Sequence, residues 1–350
     1  MAAYTNIDDP SAHFQVATYT GNGSTQSITN DGNSDMQPDW VWVKSRSIAY
    51  HNVVFDSSRG VNQRLSTNLT AVEDTGAGYG TVSAFNSDGF SVSSGANTNN
   101  NSATYVAWQW KANGGTTSTN NDGAVTSTVQ VNSDAGFSIL TYTMNSGSNE
   151  TVGHGLGVTP DIIIYKARQR SGTNGFWSVY VTGYDGSLDY LKLNTLDAAS
   201  NSSLSSPTST TFVGAGSSTE AYRHFVAYCF AEKQGYSAVG TYLGNGNADG
   251  PYVYTGFKPK YVLIKPNNAN NHWVVMDTAR DEYNGGGTAY TFPNASEVEQ
   301  TAYERMDFLS NGFKLRTNGG EWNGSGRHIL YLAFAENPFV TSTGIPTTAR

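Results

Sequence analysis

The sequence predicts an all-β protein made of three tandem antiparallel β-sandwich repeats, jelly-roll or concanavalin-like in type. Three observations carry the prediction. Charged residues form only 14% of the 350-residue chain, and 38 Gly with abundant Ser, Thr and Asn stand in their place. Such residues favour turns and strands over helix interiors. Aromatics reach 12%, led by 21 Tyr, and these side chains suit a pleated, half-buried surface. Above all, one ordered set of landmarks occurs three times, the mark of a chain assembled from repeated modules.

The first landmark is an aromatic-led strand ending in Tyr: Phe14 to Tyr19, Phe137 to Tyr142 and Tyr236 to Tyr242. In the first and third copies it runs into the turns Gly21-Asn22-Gly23 and Gly244-Asn245-Gly246, a strong hairpin signal. The second is a proline, an apolar run and a lysine: Pro38 to Lys44, Pro160 to Lys166 and Pro259 to Lys265. Proline at a strand's first position costs no ladder hydrogen bond. A third run follows at His51 to Asp56, Trp177 to Tyr180 and His272 to Asp277, with Arg59 and Arg280 three residues after the aspartates. The second copy lacks that pair. The fourth landmark ends in Asn: Leu65 to Asn68, Leu191 to Asn194 and Tyr290 to Asn294. Turn-plus-strand units come next at Asp88 to Val92 and Asn311 to Leu315, with a weaker counterpart at Thr211 to Gly214. Each module closes on an apolar strand: Tyr105 to Trp110, Phe225 to Phe230 and Ile329 to Phe334.

Short strands joined by Gly/Asn/Ser loops are the pattern of a sandwich or barrel. The Pro-led and closing strands are apolar throughout, so they are expected to be central and buried on both faces. Phe14, Val16 and Thr18 alternate with Gln15, Ala17 and Tyr19, as in a half-exposed strand. These signals divide the chain into repeat 1 over 1–112, a Gly/Thr/Asn-rich flexible linker over 113–132, repeat 2 over 133–233, repeat 3 over 234–337 and a tail over 338–350. Only residues 295–307 read as a candidate for a turn or two of helix.

A formal charge of −8 and pI near 5.2 argue against binding nucleic acid through its phosphates. Cys229 stands alone in an apolar run, so it reads as a core residue and no internal disulfide is possible. The N-terminus has neither the basic nor the apolar region of a signal peptide, and no apolar stretch is long enough to cross a membrane as a helix. The six histidines are scattered without metal-ligand spacing, and no nucleophile elbow, P-loop or Rossmann fingerprint is present. No metal, cofactor or catalytic residue is therefore expected. Paired carboxylates for glycoside cleavage need only spatial proximity, and Asp185, Asp189, Asp277 and Glu282 are the available carriers. The Asp56–Arg59 and Asp277–Arg280 pairs read as ion pairs that fix a loop, with ligand contact as the alternative. Loops mixing Asn with aromatics resemble adaptable recognition surfaces. Asn99, Asn100, Asn271, His272, Trp273, Trp322 and Asn323 are the candidate ligand-binding residues, with solvated turns as the plainer reading.

The phrases Gly153-His154-Gly155-Leu156-Gly157, Asp249-Gly250-Pro251, Tyr254-Thr255-Gly256-Phe257 and Ser310-Asn311-Gly312-Phe313-Lys314 resemble a repeat domain of virion structural proteins. That domain is common in tailed bacteriophages of marine bacteria, cyanobacterial phages among them. The resemblance covers about residues 13–340. It implies a non-enzymatic phage structural protein, a tail-fibre or tail-associated adhesin that contributes to binding a host surface glycan. It further implies residence in the virion after synthesis in the host cytoplasm, other virion proteins as partners, and a homo-oligomer, a trimer by analogy with fibres. A capsid decoration or head-fibre protein with a cementing role is the second reading, and a polysaccharide-depolymerising spike the third.

Overall fold

A computed structural model describes residues 4–144, 149–169, 175–214, 223–281 and 284–347. The first group of strands is β1 (Phe14–Thr20), β2 (Gln26–Ile28), β3 (Trp40–Ser45), β4 (Val53–Asp56), β5 (Leu65–Ser66), β6 (Val82–Phe85), β7 (Phe90–Val92) and β8 (Thr104–Trp110). The second is β9 (Ser118–Asn120), β10 (Ser127–Asn132), β11 (Phe137–Met144), β12 (Glu150–Gly153), β13 (Ile162–Ala167), β14 (Trp177–Val181), β15 (Asp189–Lys192), β16 (Ser200–Asn201), β17 (Thr211–Gly214) and β18 (Arg223–Phe230). The third is β19 (Ser237–Leu243), β20 (Tyr252–Tyr254), β21 (Phe257–Pro266), β22 (Val274–Asp277), β23 (Tyr290–Thr291), β24 (Met306–Leu309), β25 (Gly312–Leu315) and β26 (His328–Pro338).

The chain is all-β, and these strands pair antiparallel into large and small sheets. The large sheets run β1-β8-β3-β4-β5, β9-β10-β11-β18-β13-β14-β15-β16 and β19-β26-β21-β22-β23. The small ones are β2-β7-β6, β12-β17 and β20-β25-β24. Every large sheet places its closing strand between the first strand and the Pro-led strand. Register makes the correspondence residue-level: Trp40 pairs with Trp110, Ile162 with Phe230 and Tyr261 with Phe334.

The continuous apolar runs have a physical reason. Along β3, Trp40 and Trp42 enter one core while Val41 and Val43 enter another; Ile162/Ile164 against Ile163/Tyr165 and Tyr261/Leu263 against Val262/Ile264 divide in the same way. Each large sheet thus has a small-sheet core on one face. Its other face joins a single central core built by all three large sheets. Rings from different groups meet there: Trp40 stacks on Tyr228 with centroids 4.2 Å apart, and Phe14 on Phe334 at 5.0 Å. Burying aromatic faces of this size is the dominant favourable term for such a core.

Several expectations are corrected. The segment 113–132, read as a flexible linker, carries β9 and β10, which extend the second large sheet beyond β11. Its Ser-Thr-Val-Gln-Val-Asn run alternates as a strand should, and it covers an edge that would otherwise leave backbone groups unpaired. Residues 295–307 form loop and the start of β24, while a short helix, α1 (Gly320–Asn323), lies elsewhere. Residues 339–347, beyond β26, fold back on the N-terminal segment, where Ser342 N donates to Asp8 at 2.6 Å.

Candidate functional site

The loop residues predicted to meet a ligand are largely engaged inside the protein. Asn99 is fully buried; its side chain accepts from Asn22 N at 2.9 Å and donates to Asn22 and to Ser24 O. Asn323 does the same for the third group, accepting from Asn245 N at 2.8 Å and donating to Asn245, Asn247 O and Thr317 O. These two side chains clamp the Gly-Asn-Gly turns. A Cβ on Gly21 or Gly244 would collide with the backbone of the opposite loop, which is why glycine stands at both. Trp322 is buried in a small-sheet core, and Trp273 is buried in the central core with Nε1 donating to Lys192 O at 2.9 Å. His272 lies 4.3 Å from the Phe292 ring and its Nδ1 faces Asn294 at 3.1 Å. Asn271 accepts from Lys265 through its carbonyl and from Arg327 through its amide oxygen. Asn100, half-buried, takes the Tyr105 hydroxyl at its N–H and reaches Tyr50 at 3.1 Å. All of these contacts stabilise turns or packing.

The chemistry-bearing residues converge instead where one group of strands meets the next. Asp56 is fully buried; Arg59 Nε donates to it at 2.5 Å, and Tyr228 of the second group donates at 2.7 Å. Arg59 also pairs with Glu73 at 2.7 Å, and Glu73 takes Arg168 of the second group. The same pattern joins the first group to the third. Arg280 pairs with Asp277 at 2.7 Å, Trp108 Nε1 donates to Asp277 at 2.9 Å, and Glu299 binds both Arg280 and Arg46. A buried ion pair is tolerated only when its remaining donors and acceptors are satisfied, and here they are. Burial opposes the Arg59 charge, yet Asp56, Tyr228 and Glu73 outweigh it and raise its pKa. Burial would likewise raise the Glu73 and Glu299 carboxyls, but the arginines hold both below the usual range.

Among the described residues, the third seam, between the third group and the second, has none of this. By register, Val181 occupies the aspartate's place and Leu332 that of the cross-seam donor. Tyr184 stands where the arginine would be, and Ala199, whose N–H donates to Asn267 O at 2.6 Å, stands where Glu73 and Glu299 donate to Arg168 O and Arg46 O. Val181, Leu332, Tyr184 and Ala199 all pack on the central core. Donor, acceptor and counter-ions are replaced together. At the first-to-third seam the Asp277 carboxylate is engaged by Arg280 and by Trp108.

The lysines that close the Pro-led strands acquire a role only in the folded chain. Lys44, Lys166 and Lys265 are fully buried. Lys44 Nζ donates to Tyr50 O at 2.7 Å and Ser296 O at 3.1 Å, Lys166 Nζ to Gly175 O at 2.7 Å, and Lys265 Nζ to Leu196 O at 2.9 Å and Asn271 O. Lys44 and Lys265 thus tie a loop of their own group to a loop of the neighbour. Burial lowers the pKa of each to about 8.

Of the remaining candidates, Asp185 is exposed and accepts from Ser187 at 2.9 Å, Asp189 is mostly buried, and Glu282 lies outside the described residues. Among the described residues no group of three or more His, Cys, Asp or Glu is placed to hold a metal ion, and no helix is long and apolar enough to cross a membrane. Cys229 is buried and free, its thiol pKa raised by burial.

One surface feature is decided by the fold. Tyr252 and Tyr254 project from β20 with 44% and 56% of their surface exposed. The register of the small sheets puts Ser27 and Thr29, and Thr151 and Gly153, at the same positions in the other groups. The sandwich does not require aromatic side chains there. Tyr4 adds a third ring, with its hydroxyl 3.3 Å from that of Tyr254 and donating to Gly256 O.

Residues 9–338 match the family described as Domain of unknown function (DUF7483), and the chain belongs to that family. No curated protein and no solved structure matches it significantly.

Proposed function

We propose that the chain is a virion structural protein of a tailed bacteriophage, a tail-fibre or tail-associated adhesin with three diverged copies of one sandwich repeat as its scaffold. The reading takes up the family resemblance of the sequence. The observation that carries its binding role is the exposed Tyr252/Tyr254 pair. Side chains two apart on a strand lie on one face about 7 Å apart, and tyrosine offers a flat apolar ring with a polar tip at little entropic cost. Such a pair suits the faces of successive sugar rings in a host surface glycan. The repeat reading is supported by the matched registers and by the seams, whose partner residues change as sets. The scaffold role is supported by the conversion of loop Asn, Trp and Asp residues into internal contacts, which favours a rigid body over a catalyst.

The test exchanges Tyr252→Ser and Tyr254→Thr, the residues that the first group carries. Binding to host envelope polysaccharide is expected to fall at least tenfold while the thermal midpoint stays unchanged. Unaltered binding would remove the adhesin role. Copy number separates the tail from the capsid: several hundred copies per particle would favour a decoration protein. Release of reducing ends from the polysaccharide would favour the depolymerase. The trimer drawn from the resemblance is tested by molar mass in solution.

A further inference from the structure

The three large sheets treat one edge differently. Each has its first strand, β1, β11 or β19, at the edge of the common five-strand set. An edge strand leaves a row of N–H and C=O groups unpaired and is a template for another strand. In the second sheet β10 covers that edge, pairing along Phe137 to Tyr142. In the third, the Glu232 carboxylate accepts Val239 N at 3.1 Å. Val239 corresponds by register to Val16 of β1, since Val239 pairs with Leu332 and Val16 with Trp108. The Val16 N–H therefore also points outward, and Thr18 follows with period two. Among the described residues nothing hydrogen-bonds that outer edge.

Beside it lies a groove. Adjoining cavities of about 390 and 340 Å³ share Val16, Asp31, Lys260 and Glu336 as walls. Its far wall matches the one β10 meets. Gln130 of β10 donates to Ser57 at 2.9 Å and Ser58 at 2.6 Å in the neighbouring group. The corresponding residues here, just past Asp277, are Thr278 and Ala279, which line the groove. The groove beside β1 is thus the β10 site with no strand in it.

One residue differs in sign. Ser57 N donates to Asp39 O at 2.9 Å and Thr278 N to Lys260 O at 3.0 Å, which makes Lys260 the counterpart of Asp39. Asp39 accepts the N–H groups of Ala112, Gly114 and Gly115, the chain that leads into β10, and Gly115 N also reaches Gln130 at 3.0 Å. Lys260 has no ion-pair partner among the described residues, whereas Lys258 is engaged by Glu336 at 2.9 Å.

We propose that β1 accepts an extended strand from a partner protein by β-augmentation, and that this strand carries a carboxylate at the position of Gln130 to meet Lys260. Backbone pairing would supply affinity and the charged pair the register. The proposal does not depend on the glycan reading. The probe is a synthetic peptide with the β10 sequence 127–132 and glutamate in place of Gln130, flanked by its natural neighbours. Titrated into the full chain, it is expected to bind saturably and to slow amide exchange over Phe14 to Tyr19. Lys260→Glu is expected to weaken it at least tenfold, and a peptide with lysine at that position to recover binding to the variant. Absence of saturable binding at millimolar peptide, unchanged exchange along β1, or indifference to Lys260→Glu would each overturn the proposal.

Discussion

At the residue scale, the buried lysines set the response to pH, and the ion-paired aspartates the response to mutation. The folded pKa of Lys44, Lys166 and Lys265 is about 8, below the value near 10.4 of an unfolded chain. Between those values the unfolded state binds more protons, so stability rises with pH. Chemical denaturation is expected to give a midpoint that climbs from pH 8 to pH 10, and replacing one lysine by Met should flatten the climb by about a third. A flat profile in the parent chain would mean that the lysines are better solvated than their burial indicates. Asp56 matters through the partners that it satisfies. Asp56→Ala leaves Arg59 buried without its closest partner, and the expected loss is about 3–5 kcal/mol. Trp322→Ala, in a small-sheet core, should cost about 3–5 kcal/mol through its cavity, read from the urea midpoint.

At the scale of the element, the seams can be exchanged as units. The third seam shows that Val, Tyr, Leu, Ala and Asn can occupy the places of Asp56, Arg59, Tyr228, Glu73 and Arg168. A variant with all five exchanged is expected to be more stable than Asp56→Ala alone, because no charge is left buried without a partner. If the fivefold variant unfolds at lower denaturant than the single one, the seams are not interchangeable. The strand order also accounts for what was legible. The Pro-led and closing strands are continuous apolar runs because both faces are buried, and their pattern was visible at once. β10 was missed although Val129 and Val131 alternate with Thr128 and Gln130, because the Gly, Thr and Asn before it resemble a linker. Asn99 and Asn323 were read as surface groups, since the same side chain that meets solvent in one loop clamps a turn in another.

At the scale of the whole molecule, the central core belongs to no single group of strands. Residues 1–112 alone would expose Trp40, Trp42, Trp108 and Trp110, all of which lie in that core. The intact chain is therefore expected to unfold in one transition, with calorimetric and van't Hoff enthalpies in agreement. Expressed alone, residues 1–112 are expected to bind a hydrophobic dye and to lack cooperative unfolding. Three separable transitions would instead indicate independent modules.

The amino-acid pattern by itself determined the strand-rich class, the order of the landmarks, the two-faced central strands and the Asp–Arg loops. Those features depend on composition, periodicity and spacing over a few residues, which are local quantities. Tertiary structure alone decided that the three inner faces share one core, that Tyr228 and Trp108 complete the aspartates of their neighbours, and that Trp273 and Trp322 are buried. It also decided that Tyr252 and Tyr254 remain outside and that β10 covers β11 while β1 stays open. The contacts between groups depend on surfaces that meet across well over a hundred residues of chain, as Asp56 meets Tyr228 and Asp277 meets Trp108. Periodicity shows that a face is apolar; only the packing shows what covers it.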